Sequence, residues 1–204
     1  MSMVSDDFAI TIKNSLGFSS LAVSDETIAF ATAIIDEIKA GTFSHASVTG
    51  SGSDGSPLLL GTALSGVVAG IVGSSLSDRL KTEMGRPIST PQLAGLAEAI
   101  ASTIMLGLVN FTSGEVTGLC VSGSLIFGQA SGGEIAGISG SVMATTASTS
   151  LGGVTSLLSS LCNAIADYIM DESESSYSEG TVTGTYPTPA GGPFVGSAVG
   201  GEFS

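Results

Sequence analysis

The residues able to do chemistry are few and poorly placed for it. The one histidine is His45, in the loop before Val48-Thr49-Gly50. A zinc site needs three or four His, Cys or carboxylate ligands, and neither a second histidine nor a cysteine pair accompanies it, so His45 reads as a structural or surface residue. A Ser-His-Asp triad would have to use it, yet no Gly-x-Ser-x-Gly elbow occurs. Gly50-Ser51-Gly52-Ser53-Asp54-Gly55 spells Gly-x-Gly-x-x-Gly. The dinucleotide fingerprint needs a helix immediately afterwards; here Ser56-Pro57 and an apolar run follow, and Asp54 would repel phosphate, so a loop is expected. Asp36, Glu37 and Asp167 fall on helical stretches. Neighbours at i and i+1 do not face each other on a helix, so Asp36 and Glu37 are expected on solvated faces rather than as a catalytic pair. A hydrolase would have to work through Asp36 or Asp167. Cys120 and Cys162 read as ordinary buried thiols. The expectation is no enzyme, no catalytic residues, no cofactor and no metal.

The totals point the same way. The 204 residues carry 43% hydrophobic side chains and a mean hydropathy of +0.50, so core material is ample. Charged residues are only 11%, less than half the usual share, which suggests that much of the surface faces other protein. The net charge is −13, with five Lys and Arg. Phosphate contacts need cations, so nucleic acid is not an expected partner, and anionic lipid is disfavoured for the same reason. Met1 to Asp7 has no basic n-region followed by an apolar core, so no secretion signal is expected.

Those residues are set in an internal repeat. Ala33-Ile34-Ile35-Asp36-Glu37-Ile38 aligns with Ala99–Ile104 and with Ala164–Ile169. Val48-Thr49-Gly50 recurs as Val116-Thr117-Gly118 and Val182-Thr183-Gly184. A third marker, Gly-x-Ala followed by Ser or Gly and another Gly, places Gly61, Ala63 and Gly66 in register with Gly128, Ala130 and Gly133, and with Gly196, Ala198 and Gly201. Three markers in one order at one period of about 67 residues define repeat units over residues 1–66, 67–133 and 134–204. The fold class expected is α+β: each unit a short helix, a long amphipathic helix and a β-hairpin, arranged as a pseudo-threefold ring or a linear stack.

Within the units, Asp6–Ile12 fits helix or strand. Ser24-Asp25-Glu26 supplies an N-cap and first-turn acids for a helix with the stripe Ile28, Ala31, Ile35 and Ile38, ending near Gly41. Val67–Val72 is expected to run on as helix to Met84. Thr90-Pro91 is a helix start, followed by the stripe Leu93, Leu96, Ala97, Ile100, Ile104 and Leu108. Val154, Leu157, Leu158, Leu161, Ile165 and Tyr168 form the third stripe, which ends in the acidic run Asp171–Glu174, expected to be solvated. Pro187, Pro189 and Pro193 argue against regular strand in the last loop. Leu58–Gly66, Leu125–Gly133 and Phe194–Gly201 are expected to be equivalent strands, with their Gly and Ala residues as packing surface.

Leu58–Leu76 holds 19 residues without a charge, enough to span a bilayer, with Gly66 and Gly70 four apart as in close-packed membrane helices. Its glycines and serines, and the charges at the equivalent places of the other units, favour a buried strand then helix; a membrane-associated glycine-zipper protein is the alternative. The Ala-Ile-Ala-x-x-Ile helix, Val-Thr-Gly, the Gly/Pro-rich turn ending in Gly-Gly, the Ser/Thr/Gly/Ala bias and the acidity are similar to small virion structural proteins of tailed bacteriophages. The resemblance implies a structural subunit of the particle (tail, baseplate, neck or capsid surface), assembled in the host cytoplasm, with other virion subunits and further copies of itself as partners.

Overall fold

The computed structural model describes residues 3–44, 46–173, 180–187 and 190–201. His45, Glu174, Pro189 and Glu202 lie outside the described residues. The chain is mixed α+β, with six helices and one curled antiparallel sheet among the described residues.

Helical periodicity and caps explain the helices. In α1 (Ser5–Ser15) Phe8, Ala9 and Ile12 are buried on one face, so the 6–12 segment is helix. In α2 (Asp25–Lys39) the Ser24 side chain accepts from the Thr27 N–H at 3.3 Å. Ala31, Ile35 and Ile38 of its stripe are buried, joined by Ile34. Gly41 follows the last turn without a left-handed backbone; it makes room instead, since a methyl there would meet Ile71 Cγ1 at 2.9 Å. Helix α3 is Gly73–Glu83 and α4 is Pro91–Ile104, capped by Thr90, which accepts from the Leu93 N–H at 3.2 Å. Helices α5 (Gly140–Leu151) and α6 (Ser156–Ser173) complete the set. Each helix packs on the next, and α6 packs on α1, so the six close into a ring. No helix among the described residues is long and apolar enough to cross a membrane.

Several expectations fail at element boundaries. Val67–Ala69 is the end of a strand, and the helix begins only at Gly73: Val67 is exposed and Val68 buried, the period of two that β-branched residues adopt on a sheet. Leu108 is an exposed strand residue rather than the end of the α4 stripe. Val154 precedes α6, and Leu157 in its first turn faces outward. Pro193 lies inside a strand, one residue from its start, where a missing N–H is tolerated.

The strands are β1 (Thr42–Ser44), β2 (Ala46–Gly52), β3 (Leu59–Ala69), β4 (Leu108–Phe111), β5 (Val116–Val121), β6 (Ser124–Ala130), β7 (Glu134–Ala136), β8 (Gly180–Thr185) and β9 (Gly192–Val199). Their order is β5-β6-β8-β9-β2-β3-β4-β7, with β1 also on β3. The three expected hairpins, β2–β3, β5–β6 and β8–β9, are all formed. The sheet curls until β5 meets the residues leading into β3: the Leu58 N–H donates to Gly118 O and the Cys120 N–H to Ser56 O, both at 2.9 Å. Inside the curl Val48 lies opposite Ala63, Val116 opposite Ala130 and Val182 opposite Ala198, all buried. Apolar residues from the helix ring join them in one core, which includes Phe8 stacked on Tyr168 at 4.2 Å.

Candidate assembly interface

The nine glycines and alanines singled out by spacing fall into two kinds of place. Ala63, Ala130 and Ala198 are fully buried inside the curled sheet. Gly61, Gly128 and Gly196 are on β3, β6 and β9, pressed against backbone: a methyl on each would overlap the carbonyl oxygen of Val116, Val182 and Thr183 respectively. Each would also crowd a large side chain two or three residues before it, Leu58 at 2.9 Å, Leu125 at 2.7 Å and Phe194 at 2.9 Å. Gly66 approaches Val109 O, and Gly133 lies on the Phe111 ring. Gly201, beyond β9, is buried. These residues bring strands together inside one chain.

The outward-facing residues are different. Leu60 and Phe127 directly precede Gly61 and Gly128, and both have φ of 52°. A large non-glycine residue rarely adopts that region, because its Cβ meets its own backbone. Both sit in β-bulges, where the registers of β2 with β3 and of β5 with β6 shift by one residue. The bulge turns the side chains out: Leu60 is 72% exposed and Phe127 83%. Hairpin β8–β9 pairs without a shift. Sequence reasoning missed these residues, although a signal was present. Leu58 and Leu125 stand three residues before their glycines, whereas Phe194 stands two before Gly196. On a period-two strand an odd separation between two inward residues requires one extra residue.

A second apolar surface lies on the helix ring. Three hollows of about 290, 220 and 240 Å³ adjoin one another there. They share Leu16, Met84, Leu96, Leu151 and Leu161 as walls. The exposed Leu157 forms part of the lining.

The titratable groups among the described residues are held in separate places. Glu37 corrects the expectation of a solvated face: its side chain is 2% exposed. It accepts from the Val72 N–H at 3.0 Å, the Ser75 hydroxyl at 2.7 Å and Arg79 Nε at 2.8 Å, so α2 supplies the anion that caps α3. Asp36 is half-buried and Asp167 exposed, on α2 and α6, with α1 packed against both. Asp54 accepts from the Tyr186 hydroxyl at 2.5 Å beside the loop of β5–β6. Burial, then that hydrogen bond, push the Tyr186 phenol up to about 12. Burial also raises both thiols, Cys162 to about 11, which holds them protonated, the reverse of nucleophile activation. Among the described residues no group of His, Cys, Asp and Glu could hold a metal ion.

The class these features define is a mixed α+β chain with a helix ring, a curled antiparallel sheet and exposed apolar surfaces. No family model, no curated protein and no solved structure matches the chain.

Proposed function

We propose that the chain is a structural subunit of a large protein assembly, a virion component of a tailed bacteriophage, built as a pseudo-threefold ring of three repeat units. The observation that carries the assembly role is the exposure of large apolar side chains on two separate surfaces, the outer sheet and the hollowed helix ring. Contiguous apolar patches of this kind are partner-binding surfaces in ordinary proteins.

Repeated contacts support the three-unit reading. Val of Val-Thr-Gly faces Ala of Gly-x-Ala in all three hairpins. The helices make an analogous link twice. Glu37 of α2 accepts from the N–H of Val72, the N-cap of α3; Tyr168 of α6, at the equivalent place in its helix, accepts from the N–H of Val4, the N-cap of α1, at 2.9 Å. The second link joins the last unit to the first, as a ring requires. The phage assignment rests on the sequence resemblance and on the scarcity of charge. Mass spectrometry of purified particles of the virus that encodes this chain tests it: the chain is expected among the particle proteins, and its absence overturns the assignment.

A further inference from the structure

Three helices end beside one another and leave apolar side chains uncovered. Leu16 is the C-cap of α1, Met84 the C-cap of α3 and Leu151 the last residue of α5. With Leu96 of α4 and Leu161 of α6 they wall the adjoining hollows of about 290, 220 and 240 Å³. Each hollow alone falls short of the roughly 300–1,000 Å³ of a small-molecule site, and taken together they fall within it. The largest is walled by six leucines and has one polar side chain, Thr155, whose hydroxyl already accepts from the Leu158 N–H at 3.1 Å. A peptide occupant would bring backbone N–H and C=O groups that need partners, and leucine side chains supply none. An alkyl chain makes no such demand.

Charge selects the other end of the occupant. Of the three hollows, the largest is lined by no charged residue, one by Glu26 and one by Arg86. The backbone of Arg86 is set by the turn that ends α3. Gly85 has a φ of 62°, its N–H donates to Thr82 O at 3.1 Å, and the Arg86 N–H donates to Lys81 O at 2.9 Å, the arrangement of a Schellman cap. The turns after α1 and α5 make the same bond to a carbonyl five residues back, but put Phe18 and Gly153 where this one puts Arg86. Arg79 and Lys81 pair with Glu37 and Asp78. Arg86 has no ion pair or side-chain hydrogen bond among the described residues, although acids outnumber Lys and Arg 18 to 5. A small inorganic anion gains nothing from the leucines and is repelled by a chain of net charge −13; a neutral lipid gains nothing from Arg86. We infer that the hollows bind a free fatty acid, with its carboxylate on Arg86 and its alkyl chain passing Leu96 and Leu151, the walls shared by the two hollows, into the largest one. The site lies on one of the two apolar surfaces that support the assembly role, and the two readings fail separately: ligand binding is read on the purified chain, particle content by mass spectrometry.

Isothermal titration calorimetry of the full chain with decanoate and with 1-decanol tests it. The wild-type chain is expected to bind decanoate saturably. Arg86→Gln is expected to weaken decanoate binding about two- to fivefold, the range of an exposed ion pair, and to leave 1-decanol binding unchanged. Leu157 is 55% exposed in the first turn of α6, so Leu157→Asp keeps the fold while putting a charge into the largest hollow. It is expected to weaken both ligands about tenfold or more. Thr183→Asp, on β8, adds the same charge away from the hollows and is expected to change neither. A wild-type chain without saturable decanoate binding, an Arg86→Gln chain that loses neither ligand or both equally, a Leu157→Asp chain that binds like wild type, or an equal loss with Thr183→Asp overturns the inference.

Discussion

Alanine at Gly61, Gly128 or Gly196 is expected to destabilise the chain, against the usual sign of the substitution. Where the backbone permits it, Gly→Ala stabilises by about 0.4–1 kcal/mol through the unfolded state. None of these three glycines has a positive φ, so backbone conformation alone predicts that gain. The space around them predicts a loss. A methyl at each position falls well inside 3.0 Å of a carbonyl oxygen, a separation real Cβ atoms essentially never show. That oxygen belongs to paired backbone and cannot rotate away as a flexible side chain could; the strands must part or the bulge must migrate. Overpacking of this kind costs about 1–3 kcal/mol, occasionally more, and exceeds the entropic gain. For a chain of this size each kcal/mol moves Tm by roughly 2–4 °C, so a fall of about 2–12 °C is expected for each variant. Gly66→Ala is the internal comparison: its nearest neighbours would stand at 3.1 to 3.2 Å, and its loss should be smaller. Thermal unfolding followed by circular dichroism reads all four, at a concentration low enough to exclude association. A rise in Tm for any of the three, or a loss smaller than that of Gly66→Ala, refutes the close-approach argument.

Three further outcomes follow from the buried polar groups. Glu37→Gln leaves the α3 N-terminus and Arg79 without an anion and is expected to cost about 1–3 kcal/mol in urea unfolding; Arg79→Ala should cost less, because that side chain is 40% exposed, and the opposite order would contradict the capping role. Tyr186 holds its proton more tightly when folded than when unfolded, so its contribution is complete below pH 10 and is lost as pH rises toward 12. The urea midpoint should therefore fall through that window, and Tyr186→Phe should fall less steeply; identical slopes would remove Tyr186 from the account. Cys120 and Cys162 are buried with raised pKa, so iodoacetamide at pH 8 should modify neither until urea is added, and modification of the native chain at the rate of a free thiol would show that the helix–sheet core opens.

What the sequence made legible is what local chemistry dictates. Ser24 and Thr90 announce helix starts because a side-chain oxygen must satisfy an orphan N–H, and both do. The hairpins were readable because Val-Thr before a Gly/Ser loop and apolar residues after it alternate at the period of a strand. The boundary at Val67 was misjudged for a physical reason. Val67-Val68-Ala69 is equally apolar as helix or strand, and what decides between them is its pairing with Thr42–Ser44 and Leu108, contacts set by residues 23 to 41 positions away along the chain. Glu37 was misplaced because helical periodicity assigns a face but does not say what lies against it; the anion is required by α3, whose N-terminus reaches it only through the α2–α3 packing.

The candidate interface was the least legible part, and the reason bears on how repeats encode function. Searching for what recurs finds Gly61, Gly128 and Gly196, and these hold the chain together internally. Outward residues need not recur, because no inward packing fixes their identity from hairpin to hairpin. Leu60 and Phe127 differ from Val195 in one extra residue and in a backbone that glycine would adopt more easily. The departure is therefore more informative than the agreement. The three hairpins constrain their inward glycines by collision with carbonyls, while the outward residues beside them are free to differ, and two of the three have taken the conformation that places a large apolar side chain in water. That conformation carries a local cost, and what offsets it lies inside the chain: the bulge keeps Leu58 and Leu125 buried beside Gly61 and Gly128.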